Sequence, residues 1–263
     1  RKTRHLGREW YTCVHPMNQS SMQFATPRMT PVVKVILIAS GVIYLLQLLA
    51  QSQGISLENI LGFVPARLAS GWIWQPFTYA FLHAGMFHIL FNLLVIWSIG
   101  CELEGTWGRN TFLGFFFVCA GGAALTAGIF SLVGVGTGPY TPVVGSSGVV
   151  YGLLLAYGIL FGERTMYFFM LFPMPAKYFV MLLGGVALVS SVFSRNDGVA
   201  HLAHLGGMLF GFLFLLGMAA WRKRSRDGFG AGERLKKKKL KKAGHLRLVR
   251  GEEEDPDEPK HWN

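Results

Sequence analysis

The sequence predicts an all-α membrane protein, a bundle of six membrane-crossing helices. Three observations carry that prediction. Hydrophobic residues make up 51% of the 263 residues and charged residues only 15%, where a soluble domain carries about a quarter. Several apolar runs approach or reach the ~20 residues needed to cross a hydrocarbon core. The charge that is present is segregated to the two ends, with only Arg67, Arg109, Arg164, Lys177 and Arg195 among the cations in between. A net charge of +11 and a pI near 9.8 could signal nucleic acid. Membrane orientation explains this distribution better, so no nucleic-acid partner is expected.

The first segment, residues 1–30, is polar and basic, with no apolar run of signal-peptide length. It is expected to be disordered or to lie at the cytoplasmic surface; because it opens on Arg1, Met22 and Met29 stand as candidate initiators. The first span is Pro31 to Ala50, entered through Thr30-Pro31, a cap followed by the proline favoured in a first helical turn. Residues 51–86 then form a long connection containing Gly54, Pro65, Gly71 and Pro76. Its aromatic residues, among them Trp72, Trp74, Phe77 and Tyr79, suit the membrane interface. It is expected to lie partly within the membrane.

Further spans are expected from His88 to Leu103, Thr111 to Leu132, Ser147 to Gly162, Ala176 to Phe193 and Val199 to Trp221. An even count puts both termini on one side, and the Lys/Arg-rich ends make that side cytoplasmic. The chain thus divides into a basic segment 1–30, a membrane domain 31–221 and a charged tail 222–263, expected to be disordered. The tail's Lys236–Lys239 run suits either anionic headgroups or open water. Cys13, Cys101 and Cys119 are scattered, form no CxxC pair and read as structural.

Polar residues in spans are expensive and point to function. Val143-Val144-Gly145-Ser146-Ser147-Gly148 is a Gly-x-Ser-Gly turn opening an apolar run. Glycines let the backbone turn sharply, and a serine at the first turn of a helix has unpaired N–H groups beside it. That suits a nucleophile whose product oxyanion needs donors. Small residues that merely pack helices together would look the same. His88 and Asn92 are four apart and share a helix face; His201 and His204 are three apart and share another. With six spans, His88, Ser147 and His204 lie at similar depth near the outer side.

Two chemistries compete for this set. In one, Ser147 is a nucleophile, a histidine its base, and the His88–Asn92 pair an oxyanion site. In the other, the pairs His83/His88 and His201/His204 bind a metal. The metal lacks a third histidine cluster, lacks His-Glu-x-x-His, and leaves the serine turn without a role.

His88-Ile-Leu-Phe-Asn92, Gly145-Ser146-Ser147-Gly148 and Ala203-His204-Leu205-Gly206-Gly207 together resemble the rhomboid intramembrane serine proteases. Gly100-x3-Glu104-x3-Gly108 and Gly207-x3-Gly211 are similar to further motifs of that family, so the resemblance covers residues 31–221. It implies Ser147 as nucleophile and His204 as general base, a dyad without an acid; Asp197 reads as a turn residue. It implies an oxyanion hole of His88, Asn92 and the Ser147 N–H, with Gly145 and Gly148 shaping the turn. Tyr151 resembles the tyrosine that packs on the catalytic histidine. The small-residue stretch after His204 selects it over His201, which becomes a supporting residue.

His83 is expected to stabilise the 51–86 connection. Some members carry Trp-Arg there, where this chain has Trp74-Gln75, which puts an arginine anchor in doubt. The resemblance further implies cleavage of membrane protein substrates, single-span proteins among them, within the bilayer, without cofactor or metal. It places the chain as a multi-pass protein of a prokaryotic inner membrane. A rhomboid-like scaffold that binds without cutting, or a six-span channel, are the alternatives from other classes. Substrate identity and oligomeric state are left open, and the fifth span with the 194–198 loop is the expected gate.

Overall fold

The computed structural model describes residues 28–136, 138–168, 172–193 and 201–243. Most of residues 1–30, the 194–198 loop with Asp197, and the tail beyond Ala243 lie outside the described residues. The expected chain is present as helices. Helix α1 spans Pro31–Ser52. The 51–86 connection is built from short helices α2 (Leu57–Leu61), α3 (Pro65–Leu68) and α4 (Gln75–Thr78), and a 3-10 turn at Tyr79–Phe81. The second apolar helix is α5 (Met86–Val95), a π-helical turn at Ile96–Gly100 and α6 (Cys101–Trp107). It is followed by α7 (Arg109–Leu132) and α8 (Ser147–Leu160). Helix α9 (Ala176–Phe193) matches the expected fifth span, and α10 (His201–Ala243) carries the sixth.

Four of these helical stretches, Pro31–Ser52, Met86–Trp107, Arg109–Leu132 and His201–Ser225, are long and apolar enough to cross a membrane. The helices α8 and α9 are apolar but shorter. Helix α7 is the most enclosed of the long four: Phe112, Phe115, Phe116, Cys119, Ala120 and Ala124 lie at its buried side. Helix α10 packs against both α7 and α8. The outward faces of α1 and α5 expose Leu, Ile and Phe, as lipid contact requires.

Three features differ from expectation. A hairpin of β1 (Thr165–Phe168) and β2 (Phe172–Pro175) joins α8 to α9, antiparallel with Thr165 opposite Pro175. Its aromatic residues favour strand, while Pro173 and Pro175 stand on a strand with no second neighbour to feed. The helix α10 does not stop near Trp221 but runs to Ala243. The added stretch is dominated by Lys and Arg, good helix formers, and it stays helical despite Gly228, Gly230 and Gly232, so charge there does not preclude helix. The 51–86 connection is not a bare loop, because its polar groups meet partners inside the protein.

Gln75 is fully buried and accepts from the Val64 N–H at 3.1 Å while its amide faces the Ile60 carbonyl at 3.3 Å. The glutamine at this position therefore helps to anchor the connection where some family members carry arginine. Arg67 donates to the Asn59 carbonyl and lies 4.8 Å over the Trp72 ring. Phe63 and Val143 exchange two backbone hydrogen bonds of 2.9 and 2.8 Å, tying the connection to the segment before the serine turn.

Glu104, buried at 3% exposure, closes the start of α1. Its oxygens accept from the Val32 and Val33 N–H groups at 3.1 and 3.0 Å and from Thr30 Oγ1 at 2.5 Å. A helix start leaves its first N–H groups unpaired and carries partial positive charge, so an acidic side chain satisfies both. Glu104→Ala is expected to cost about 3 kcal/mol, since it strands buried donors of α1. Thermal unfolding in detergent should show a clearly lower midpoint, with the protein otherwise intact; an unchanged midpoint would rule out this capping role.

Candidate active site

Local chemistry sets the serine turn. Gly145 has φ +114, a left-handed conformation that a side chain strains, and a Cβ there would lie 2.5 Å from His88 Cε1. Its N–H donates to the Tyr79 carbonyl at 2.9 Å, and Tyr79 in turn donates through its hydroxyl to the Ala120 carbonyl at 2.9 Å. Ser146, nearly fully buried, shares a 3.3 Å hydrogen bond with His83 Nε2. The His83 backbone N–H donates to Gln47 Oε1 at 3.0 Å. The turn is thus held from α1, from the 51–86 connection and from α7. Ser147 then begins α8, its own N–H among those without a helical partner.

Helix α10 brings the imidazole. His204 Nε2 lies 2.8 Å from Ser147 Oγ. The approach is set by glycine: a Cβ on Gly207 would land on the Gly148 carbonyl, and one on Gly211 would come 3.3 Å from the Gly152 Cα. The two helices touch backbone to backbone along this line, which only small residues permit. The Tyr151 ring, one turn beyond Ser147, stacks on His204 with centroids 4.4 Å apart and planes 6° apart. His204 is 9% exposed, and its Nδ1 meets no hydrogen-bond partner among the described residues. Stacking on Tyr151 holds this ring, and no carboxylate among the described residues bonds to it. His201 sits edge-on to it at 6.0 Å.

On the opposite side of the serine turn, the Ala84 N–H donates to His88 Nδ1 at 3.3 Å. That nitrogen is then the acceptor, so the neutral ring carries its proton on Nε2. This is the nitrogen that faces Gly145, 2.8 Å from where a Cβ would stand. Asn92, one turn further along α5, is buried, and its Nδ2 meets no partner among the described residues. A buried amide without an acceptor is costly, and such exceptions point to a ligand atom that completes the set. Ser147, His204 and Tyr151 are therefore brought together, with His88 against the turn.

The sequence pattern did not reveal the parts of Ser146, Gln47 and Tyr79. Their partners lie 36 to 63 residues away, and only the small-residue turn hinted at a support. Among the described residues, no group of three or more His, Cys, Asp or Glu is placed to hold a metal ion.

His83 is 2% exposed; burial first, and the neighbouring His88 second, push its imidazole down to about 4. Between that value and the ordinary 6.5, the unfolded chain binds a proton that the folded one refuses. The contribution is complete above pH 6.5 and is lost as pH falls toward 4. Stability should therefore drop by up to about 1.4 kcal/mol per pH unit in that window. The slope should shrink in His83→Gln when unfolding midpoints are measured from pH 7 to 4.5; an equal slope in the variant would show that other groups set it.

A family model for the Rhomboid domain matches residues 70–221. Rhomboid protease GlpG of Yersinia pseudotuberculosis is 32% identical over 154 residues, covering 58% of this chain and 49% of that protein. Rhomboid protease GluP of Bacillus subtilis is 30% identical over 152 residues, 55% of this chain and 26% of that protein. Rhomboid protein 1, mitochondrial, of Saccharomyces cerevisiae is 28% identical over 166 residues, 58% of this chain and 44% of that protein. The chain spans half or less of the length of these curated relatives.

Proposed function

This chain belongs to the rhomboid family, and from that premise we propose that it is an intramembrane serine endopeptidase working through a Ser147–His204 dyad. The observation that carries the reading is the 2.8 Å contact between His204 Nε2 and Ser147 Oγ, in a ring that no carboxylate orients among the described residues. His204 Nε2 takes the Ser147 proton as Oγ attacks the carbonyl carbon of the scissile peptide. The carbonyl oxygen gains the negative charge and is met by the Ser147 N–H, His88 Nε2–H and the Asn92 amide. The imidazolium returns its proton to the departing amine, leaving an ester on Ser147. Water, deprotonated by His204, then releases the acyl product as a carboxylate. Tyr151 and His201 keep the imidazole in place, and Gly145 and Gly148 keep the turn. The chemistry uses no cofactor.

Substrates are proposed to be membrane proteins, single-span ones among them, cut within or beside a spanning segment. The serine stands at the start of a short apolar helix, which supports a shallow site that water can reach. The protein is an integral membrane protein. Both termini are proposed to be cytoplasmic, supported by the cations at the ends of the chain. A prokaryotic inner membrane is proposed as its location; relatives of similar identity are bacterial and mitochondrial alike.

Reconstitution into liposomes with a labelled single-span substrate tests the reading. Cleavage within or beside the span, unchanged by chelator, is the expected result. Stable binding without any cut product across a panel of substrates would favour a scaffold instead, and loss of cleavage with chelator would revive a metal.

A further inference from the structure

A cavity of about 660 Å³ lies between the end of α8 and the second half of the membrane-crossing part of α10. Its floor is Leu215, and Ile159, Leu160, Phe212 and Leu216 form its sides while standing 42–50% exposed. It is therefore a groove open toward the surroundings of the bundle. On α10 its residues recur as Phe212, Leu215 and Leu216, Ala219, then Arg222 and Lys223. That is one helical face, apolar along most of its length and cationic at one end. Among the described residues no carboxylate lines it. The described acidic side chains at that end of α8 are engaged, Glu163 by Lys177 at 2.6 Å and Glu102 by Arg164.

The dimensions identify the occupant. From Phe212 to Lys223 the helix rises about 16 Å at 1.5 Å per residue. Half of a hydrocarbon core about 30 Å thick is about 15 Å. The groove from Phe212 to its cations therefore matches the depth of a single leaflet, with its apolar part, Phe212 to Ala219, taking up about 10 Å of that depth. The two cations stand where that leaflet's phosphates begin, directly after Trp221, the last residue of the apolar run. Cationic pockets between membrane helices are a recurrent means of holding anionic headgroups.

We propose that this groove is a binding site for an anionic glycerophospholipid, one acyl chain lying along Phe212, Leu216 and Ile159 and its phosphate paired with Arg222 and Lys223. The lipid would tie α8 to α10 at the end opposite Ser147 and His204. This site is independent of the protease reading and needs only the membrane setting.

The test uses the whole protein in detergent, titrated with dioleoyl phosphatidylglycerol or dioleoyl phosphatidylcholine and read by native mass spectrometry. Bound phosphatidylglycerol should survive at levels where phosphatidylcholine is stripped. Arg222→Gln with Lys223→Gln should weaken it about tenfold or more, on the scale of one strong phosphate contact per cation. Ala219→Trp, which fills the groove without touching charge, should weaken it too. Arg224→Gln, and neutralising Lys236–Lys239, should change it less than twofold. Circular dichroism and thermal midpoints certify that each variant is folded. Equal retention of the two lipids, or equal loss in the Arg224 and Lys236–Lys239 variants, would overturn the site in favour of diffuse attraction. Undiminished binding in Ala219→Trp would overturn the acyl-chain placement, and glycerophosphoglycerol competing as well as the full lipid would do the same.

Discussion

Ser147→Ala and His204→Ala are each expected to reduce the turnover of a membrane-embedded substrate by at least about 10⁴-fold, and the double variant should be no worse than either alone. Residues that act as one unit are grossly non-additive, because losing either ends the same pathway. Here the unit is a single hydrogen bond of 2.8 Å. Without His204 the hydroxyl has no base in reach, and without Ser147 the imidazole has nothing to activate. Both sites should tolerate the change structurally: among the described residues Ser147 Oγ bonds only to His204, and the His204 ring is held by stacking on Tyr151. Folding should therefore be retained, and substrate binding with it. The check is initial rates in liposomes at matched protein, with thermal midpoints alongside. Losses that multiply in the double variant would mean that the two residues act in separate steps.

The second large effect comes from a residue that never meets substrate. Gly207→Ala should lower turnover by at least about 100-fold, the scale on which a displacement near 1 Å at a reacting pair is felt. A methyl group at Gly207 would overlap the Gly148 carbonyl, next to the nucleophile. The α8 and α10 backbones must then part, and His204, one turn before Gly207, is carried from Ser147. Gly217, further along the same helix, has open space where its Cβ would stand. Gly217→Ala is the control and should leave the rate within twofold. Equal activity of the Gly207 and Gly217 variants would show that backbone contact does not set the dyad distance.

Legibility in the sequence followed the range of the interactions. Spans were readable because hydropathy is a local property, and α9 begins and ends where its apolar run does. His88 and Asn92 were readable as a pair because four residues make one turn of helix. The serine turn was readable because its glycines are adjacent in the chain. The two histidine pairs were readable as pairs, but only family resemblance chose His204 from the second.

What escaped depends on partners distant in sequence. Glu104 read as part of a motif, yet its role at the start of α1 depends on backbone groups 71 and 72 residues away. His83 read as support for the 51–86 connection, whereas its ring reaches Ser146 and its backbone reaches Gln47. The hairpin at Thr165–Pro175 was hidden because Phe, Met and Leu there extend the apolar composition of the neighbouring spans. The continuation of α10 was hidden for a different reason: a dense run of charge reads as solvated tail even where its residues favour helix.

The most direct measurement is trapping of the nucleophile. The membrane-embedded protein is treated with a fluorophosphonate, whose phosphorus is attacked by an activated serine oxygen with loss of fluoride. Peptide mass spectrometry should then find one adduct, on Ser147. It should be absent in Ser147→Ala, strongly reduced in His204→Ala, and insensitive to chelator. An adduct on another serine, or labelling of Ser147 that persists unchanged without His204, would contradict the dyad.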